Sequence, residues 1–144
     1  MHVQIEEGIH SVLIVEDEGL LALMMEDLVR ELGATDVHLC GDLASAMQMA
    51  RSAEIDCAVL DLKVRGGTST AIADVLSMRS IPFLYSTGSA PDGLELRHRS
   101  RPILFKPFSD DDFKRALLDT WRVGVFDSSK APQPGLRPYG QPTR

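Results

Sequence analysis

Four short polar clusters in this sequence each follow directly on an apolar run. Glu16-Asp17-Glu18 follows Val12-Leu13-Ile14-Val15, and Asp61 follows Cys57-Ala58-Val59-Leu60. Ser86-Thr87 follows Pro82-Phe83-Leu84-Tyr85, and Lys106-Pro107 follows Pro102-Ile103-Leu104-Phe105. Three carboxylates drawn into one pocket repel one another, and a hard divalent cation relieves that repulsion. Oxygen-only ligands favour Mg2+, which keeps several of its waters. Lysine adds a positive charge, and threonine adds a hydroxyl that can hydrogen-bond a phosphoryl oxygen. Together these are the parts that stabilise a phosphoryl group in transfer.

Such groups meet only if the elements carrying them lie side by side. Short apolar runs alternate here with longer amphipathic stretches, the pattern of a parallel sheet flanked by helices. Val12 to Val15 is apolar without a break, as a strand buried on both faces requires. Leu21, Met24, Met25, Leu28 and Leu32 then recur at helical spacing, and Gly33 ends that helix. Residues 37–40 read as a second strand. Leu43, Ala46, Met47 and Ala50 mark a second helix. Residues 57–60 form a third strand, residues 63–68 with Gly66-Gly67 a loop, and residues 69–78 a third helix. Residues 82–85 and 102–105 are the fourth and fifth strands. Ser109 caps a last helix through Phe113, Leu117 and Trp121.

Residues 89–101 break the pattern. Leu94 and Leu96, two apart, cannot share a helical face, and Pro91 and Gly93 oppose a helix. A loop with at most one turn of helix is expected, opening locally at low free-energy cost. Right-handed crossovers otherwise allow a five-stranded parallel α/β sheet with helices on both faces. Ligands of such sheets bind beyond the carboxyl ends of the strands, where all four polar clusters fall.

The 144 residues fit one compact domain, placed at residues 9–126. Residues 1–8 are expected to be flexible, and the proline-rich residues 127–144 disordered. The formal net charge of −6 opposes direct nucleic-acid binding. Cys40 and Cys57 lie in apolar strands without zinc-ligand spacing and read as buried free thiols. No secretory signal and no run of ~18 apolar residues is evident, so a cytoplasmic protein without membrane contact is expected.

The acidic pair, the single Asp after an apolar strand, the Thr-Gly and the Lys-Pro-Phe stand in the order and spacing of the bacterial response-regulator receiver domain. The resemblance covers roughly residues 9–125 and implies a doubly wound sheet of flavodoxin-like strand order 2-1-3-4-5. Taken singly, Glu16 and Asp17 could merely begin a helix and Lys106 could be a solvated turn residue. Their joint occurrence on the right strands carries the likeness. It implies that Asp61 is the phosphoacceptor and that Asp17 binds Mg2+ directly, with Glu16 as the second acidic residue. It further implies that the backbone carbonyl of Lys63 is a metal ligand, that Thr87 is the switch hydroxyl, and that Lys106 binds a phosphoryl oxygen. The bond before Pro107 is cis in such domains.

Pro82-Phe83-Leu84-Tyr85-Ser86-Thr87-Gly88 also resembles the P-F-x-F-A-T-G-Y motif of single-domain regulators called the FAT GUY group, whose fourth helix is weak. That likeness implies an HWE-type histidine kinase as partner, an unknown downstream protein, and a monomer or weak dimer. The sequence departs from the motif at Tyr85, Ser86 and Ser89, and Ile103 stands where receivers carry a switch aromatic. The implied function is a phosphorylated signalling module or phosphate sink rather than a turnover enzyme. Two alternatives are a pseudo-receiver that binds unphosphorylated, and a dehalogenase-type aspartyl phosphatase. The phosphatase class needs a second Asp where Lys63 stands.

Overall fold

A computed structural model describes residues 8–88 and 94–126. The expected N-terminal arm before Gly8, residues 89–93 and the tail 127–144 lie outside the described residues. Strands β1 (Ser11–Val15), β2 (Asp36–Cys40), β3 (Cys57–Asp61), β6 (Phe83–Thr87) and β7 (Ile103–Phe105) form one sheet. It is parallel throughout, in the order β2-β1-β3-β6-β7. Counting only the strands of this sheet, that is the expected 2-1-3-4-5 arrangement.

Residues 63–68, expected to be a loop, instead form a small antiparallel hairpin, β4 (Lys63–Val64) and β5 (Gly67–Thr68). Gly66 at its tip has φ +95, a conformation open to glycine, and this lets two residues turn the chain sharply enough for the arms to pair.

Alternation along the strands divides the core between the two faces. Leu13, Val15, Ala58, Leu60, Phe83 and Tyr85 pack against α2 (Leu43–Ser52) and α3 (Thr70–Met78) through Ala46, Ala50, Ile72, Ala73 and Leu76. Val12, Ile14, Cys57, Val59, Leu84 and Leu104 face α1 (Gly19–Glu31) and α4 (Asp110–Phe126), meeting Met25, Leu28, Val29, Phe113, Ala116 and Leu117. The continuous apolar strands are explained by this: each is covered on both sides. Gly33, at φ +111, closes α1, with its N–H on Arg30 O at 3.0 Å. Ser109 Oγ accepts the Asp112 N–H at 3.0 Å and caps α4, as its position predicts. Cys40 and Cys57 are buried free thiols on opposite faces. Among the described residues no helix is long and apolar enough to cross a membrane.

α4 lies unusually close to the start of β6. A Cβ added at Gly124 would sit 2.5 Å from Pro82 Cγ, inside contact distance of a rigid ring. Alanine gains about 1 kcal/mol of helix propensity over glycine. Forcing the ring and helix apart costs about 1–3 kcal/mol. Gly124→Ala should therefore lower the urea midpoint, and a rise would show that the helix end yields freely.

Candidate functional site

Among the described residues between β6 and β7 the chain makes a 3-10 turn, Leu96–His98. At the sheet's carboxyl edge, α1 follows β1 and the β4–β5 hairpin follows β3. Glu16 leaves β1 at that edge, where its N–H still pairs with Cys40 O at 3.0 Å, and its side chain turns inward. It is 3% exposed and Asp61, the last residue of β3, is 7% exposed. Asp17 is half-buried. One carboxylate oxygen from each of Glu16, Asp17 and Asp61 lies within 4.8 Å of the others. The pocket inferred from strand order thus exists.

Lys106, one residue beyond β7, extends into the cluster. Its Nζ donates to Glu16 Oε1 at 2.9 Å and to Asp61 Oδ2 at 3.3 Å. The Lys106–Pro107 bond is cis. Thr87 is the final residue of β6, buried, and registers with Phe105 next to Lys106. Lys63 has an exposed side chain, but its N–H approaches Asp61 Oδ1 at 3.3 Å, so its backbone borders the cluster. All the residues singled out from the sequence are therefore gathered at one edge.

The electrostatics follow from burial. Removal from water drives the Asp61 carboxyl up to about 6, against the pull of Lys106 and with the nearby Glu16 charge adding to the rise. Burial also opposes the charge on Lys106. The Glu16 hydrogen bond and the Asp61 charge outweigh it and raise the ammonium above its ordinary value. One cation against three carboxyl groups leaves the cluster short of positive charge.

Two backbone contacts were not legible beforehand. The Arg65 N–H, from the unforeseen hairpin, donates to Asp17 Oδ2 at 2.9 Å. The Glu18 N–H donates to Glu16 Oε2 at 3.0 Å. Both depend on loop conformation, which no side-chain type announces. Glu18 itself is exposed, stands at the N-cap position before α1 and makes no side-chain cap. Ile103, where a switch aromatic was missed, is half-buried in β7 opposite Tyr85.

With the geometry established, the likeness to known proteins is specific. The chain matches the solution structure of SdrG from Sphingomonas melonis Fr1 at 39% identity and TM-score 0.71, over 82% of this chain and 100% of SdrG. The chain belongs to the response-regulator receiver family. The receiver domain of the sensor histidine kinase PA1611 from Pseudomonas aeruginosa PAO1 shares the fold, with TM-score 0.66 at 22% identity over 78% and 98% of the two chains. That structure holds a magnesium ion coordinated in its active-site cleft. The transcriptional regulatory protein PdtaR of Mycobacterium tuberculosis is 32% identical over 111 residues, 74% of this chain and 54% of PdtaR. The receiver thus spans about half the length of this curated relative. No family model matches the chain.

The donor set suits a hard divalent cation. It consists of oxygen alone, converges from two strand ends, and carries more negative charge than Lys106 balances.

Proposed function

We propose that this receiver accepts a phosphoryl group on Asp61 in a Mg2+-dependent reaction and signals by protein contact. The observation carrying this reading is Lys106 Nζ set between Glu16 and Asp61 at the carboxyl edge, with Asp17 alongside. In the transfer, an Asp61 oxygen forms a bond to phosphorus as the bond from phosphorus to the donor histidine nitrogen breaks. The imidazole leaves with that electron pair. Lys106 offers its charge to the phosphoryl oxygens, and the Thr87 hydroxyl donates to one of them. Glu16, Asp17, Asp61 and the Lys63 backbone carbonyl would hold Mg2+, which supplies further positive charge against those oxygens.

Receiver domains pair with histidine kinases or phosphotransfer proteins. For this chain the Pro82-to-Gly88 motif and the 3-10 turn Leu96–His98 between β6 and β7 support the FAT GUY assignment and an HWE-type kinase. The domain is then a phosphoacceptor without external turnover, in contact with one downstream protein. The phosphatase alternative finds no support here, since the residue two beyond Asp61 is the exposed Lys63.

Incubation with acetyl phosphate and Mg2+ should add a single phosphoryl group, read by intact mass. Asp17→Asn tests the metal separately. It removes one of three anionic ligands, and Mg2+ measured by titration calorimetry should bind at least about tenfold more weakly. Equal affinity in the variant and the parent would place the ion elsewhere.

A further inference from the structure

In the stretch from Leu94 to Arg101, two neighbouring side chains reach one carboxylate on the body of the domain. Asp74, on α3, accepts Arg97 Nε at 2.8 Å and Nη2 at 2.9 Å, a bidentate pair. His98 Nε2 lies 2.8 Å from Asp74 Oδ1. The Arg97 hydrogen bond, with His98 adding, holds the Asp74 carboxyl down at about 2. An ionised carboxylate only accepts, so His98 Nε2 carries the hydrogen in this contact.

His98 is 3% exposed, and its ring meets two aromatics of β6 edge-on. The centroid separations are 5.7 Å to Phe83 and 6.4 Å to Tyr85. Arg101 lays its guanidinium 4.3 Å from the Phe83 centroid and donates to Ser77 Oγ at 3.0 Å. Apart from Leu94 and His98, the described side chains of this stretch are exposed or half-buried. It is therefore held by a few polar ties rather than by a core of its own.

The position of these ties relates them to Asp61. The stretch joins β6 to β7, the two strands that end in Thr87 and lead to Lys106. Tyr85, against which His98 rests, shares a strand and a sheet face with Thr87. A phosphoryl group that recruits Thr87 and Lys106 would pull on the ends of β6 and β7, and His98 rests on the first of these strands. Asp74 and Arg97 are both substantially exposed, so their ion pair is weakly stabilising and readily exchanged for water.

We propose that Asp74 is a latch. Through Arg97 and His98 it keeps residues 94–101 closed over the Phe83–Tyr85 face while Asp61 is unmodified, and phosphorylation releases it. The coupling rests on the phosphoacceptor reading of Asp61; the latch itself does not.

Amide hydrogen exchange on the full chain tests both parts. The His98 and Arg101 N–H groups, which donate to Glu95 O and His98 O, report the closed turn. Without ligand they should be protected in the parent, and should exchange at least about fivefold faster in Asp74→Asn and in Arg97→Gln. Arg97 is exposed, so its substitution leaves the core intact. With Mg2+ and beryllofluoride the parent should exchange like the variants. By reciprocity, the variants should bind beryllofluoride about fivefold more tightly. Parent-like exchange in both ligand-free variants overturns the latch, whatever happens at Asp61. Bound beryllofluoride with unchanged exchange at these amides overturns the coupling. Failure to bind beryllofluoride at all removes the phosphoacceptor reading and the coupling together, and the ligand-free comparison still decides the latch.

Discussion

Asp61→Asn is expected to abolish phosphoryl uptake from acetyl phosphate and, in the same protein, to stabilise the metal-free fold at neutral pH. The first effect follows from removing the nucleophilic oxygen. The second follows from what the pocket does to a charge. Burial holds the Asp61 carboxyl at about 6 against an ordinary value of 3.8. The folded state therefore favours the neutral acid. That preference is fully satisfied below pH 4 and is lost as pH rises through about 6. Above that point an ionised Asp61 lies close to Glu16 in a site where Lys106 serves both. A neutral amide of the same shape relieves the burden, and Lys106 keeps its contact with Glu16. The gain should be about 1–3 kcal/mol at pH 8 in Mg2+-free buffer, shrinking towards zero near pH 4. Urea unfolding at the two pH values measures it. Undiminished uptake by the variant would place the phosphoryl group on another residue, and a variant less stable than the parent at pH 8 would contradict the electrostatic account.

Lys106→Met should act in the opposite direction on stability. It leaves Glu16 and Asp61 buried together with their shared cation gone. Breaking a buried ion pair by removing one partner costs about 3–5 kcal/mol. Protonation limits the damage. Lys106 is the main influence lowering the Asp61 carboxyl, so without it that carboxyl titrates higher still. The deficit should be greatest at pH 8 and smaller at pH 5, where Asp61 takes up a proton. Phosphoryl uptake should slow by about 10²–10³, the usual effect of deleting one group that faces transition-state charge. A variant as stable as the parent at pH 8 would mean that Lys106 spends its time in solvent rather than between the carboxylates.

The parallel sheet with helices on both faces and the gathering of Glu16, Asp17, Asp61, Thr87 and Lys106 at one edge were legible in the residues alone. Each depends on a repeating pattern. Strands buried on both faces must be apolar throughout, helices must repeat their apolar positions, and polar residues just beyond parallel strands necessarily share an edge. The β4–β5 hairpin, the Arg65 and Glu18 backbone donors and the Asp74 ties were decided only by tertiary structure. Residues 94–101 show the difference most clearly. Leu94 and Leu96 promised no helical face, and no regular helix formed beyond the turn Leu96–His98. Yet His98, four residues after Leu94, is buried against Phe83 and Tyr85 and fastened to a helix 24 residues earlier in the chain. Periodicity reports burial along one element; a histidine and an arginine of one turn that meet an aspartate on a helix leave no period, because their partnership is set by how those two elements pack.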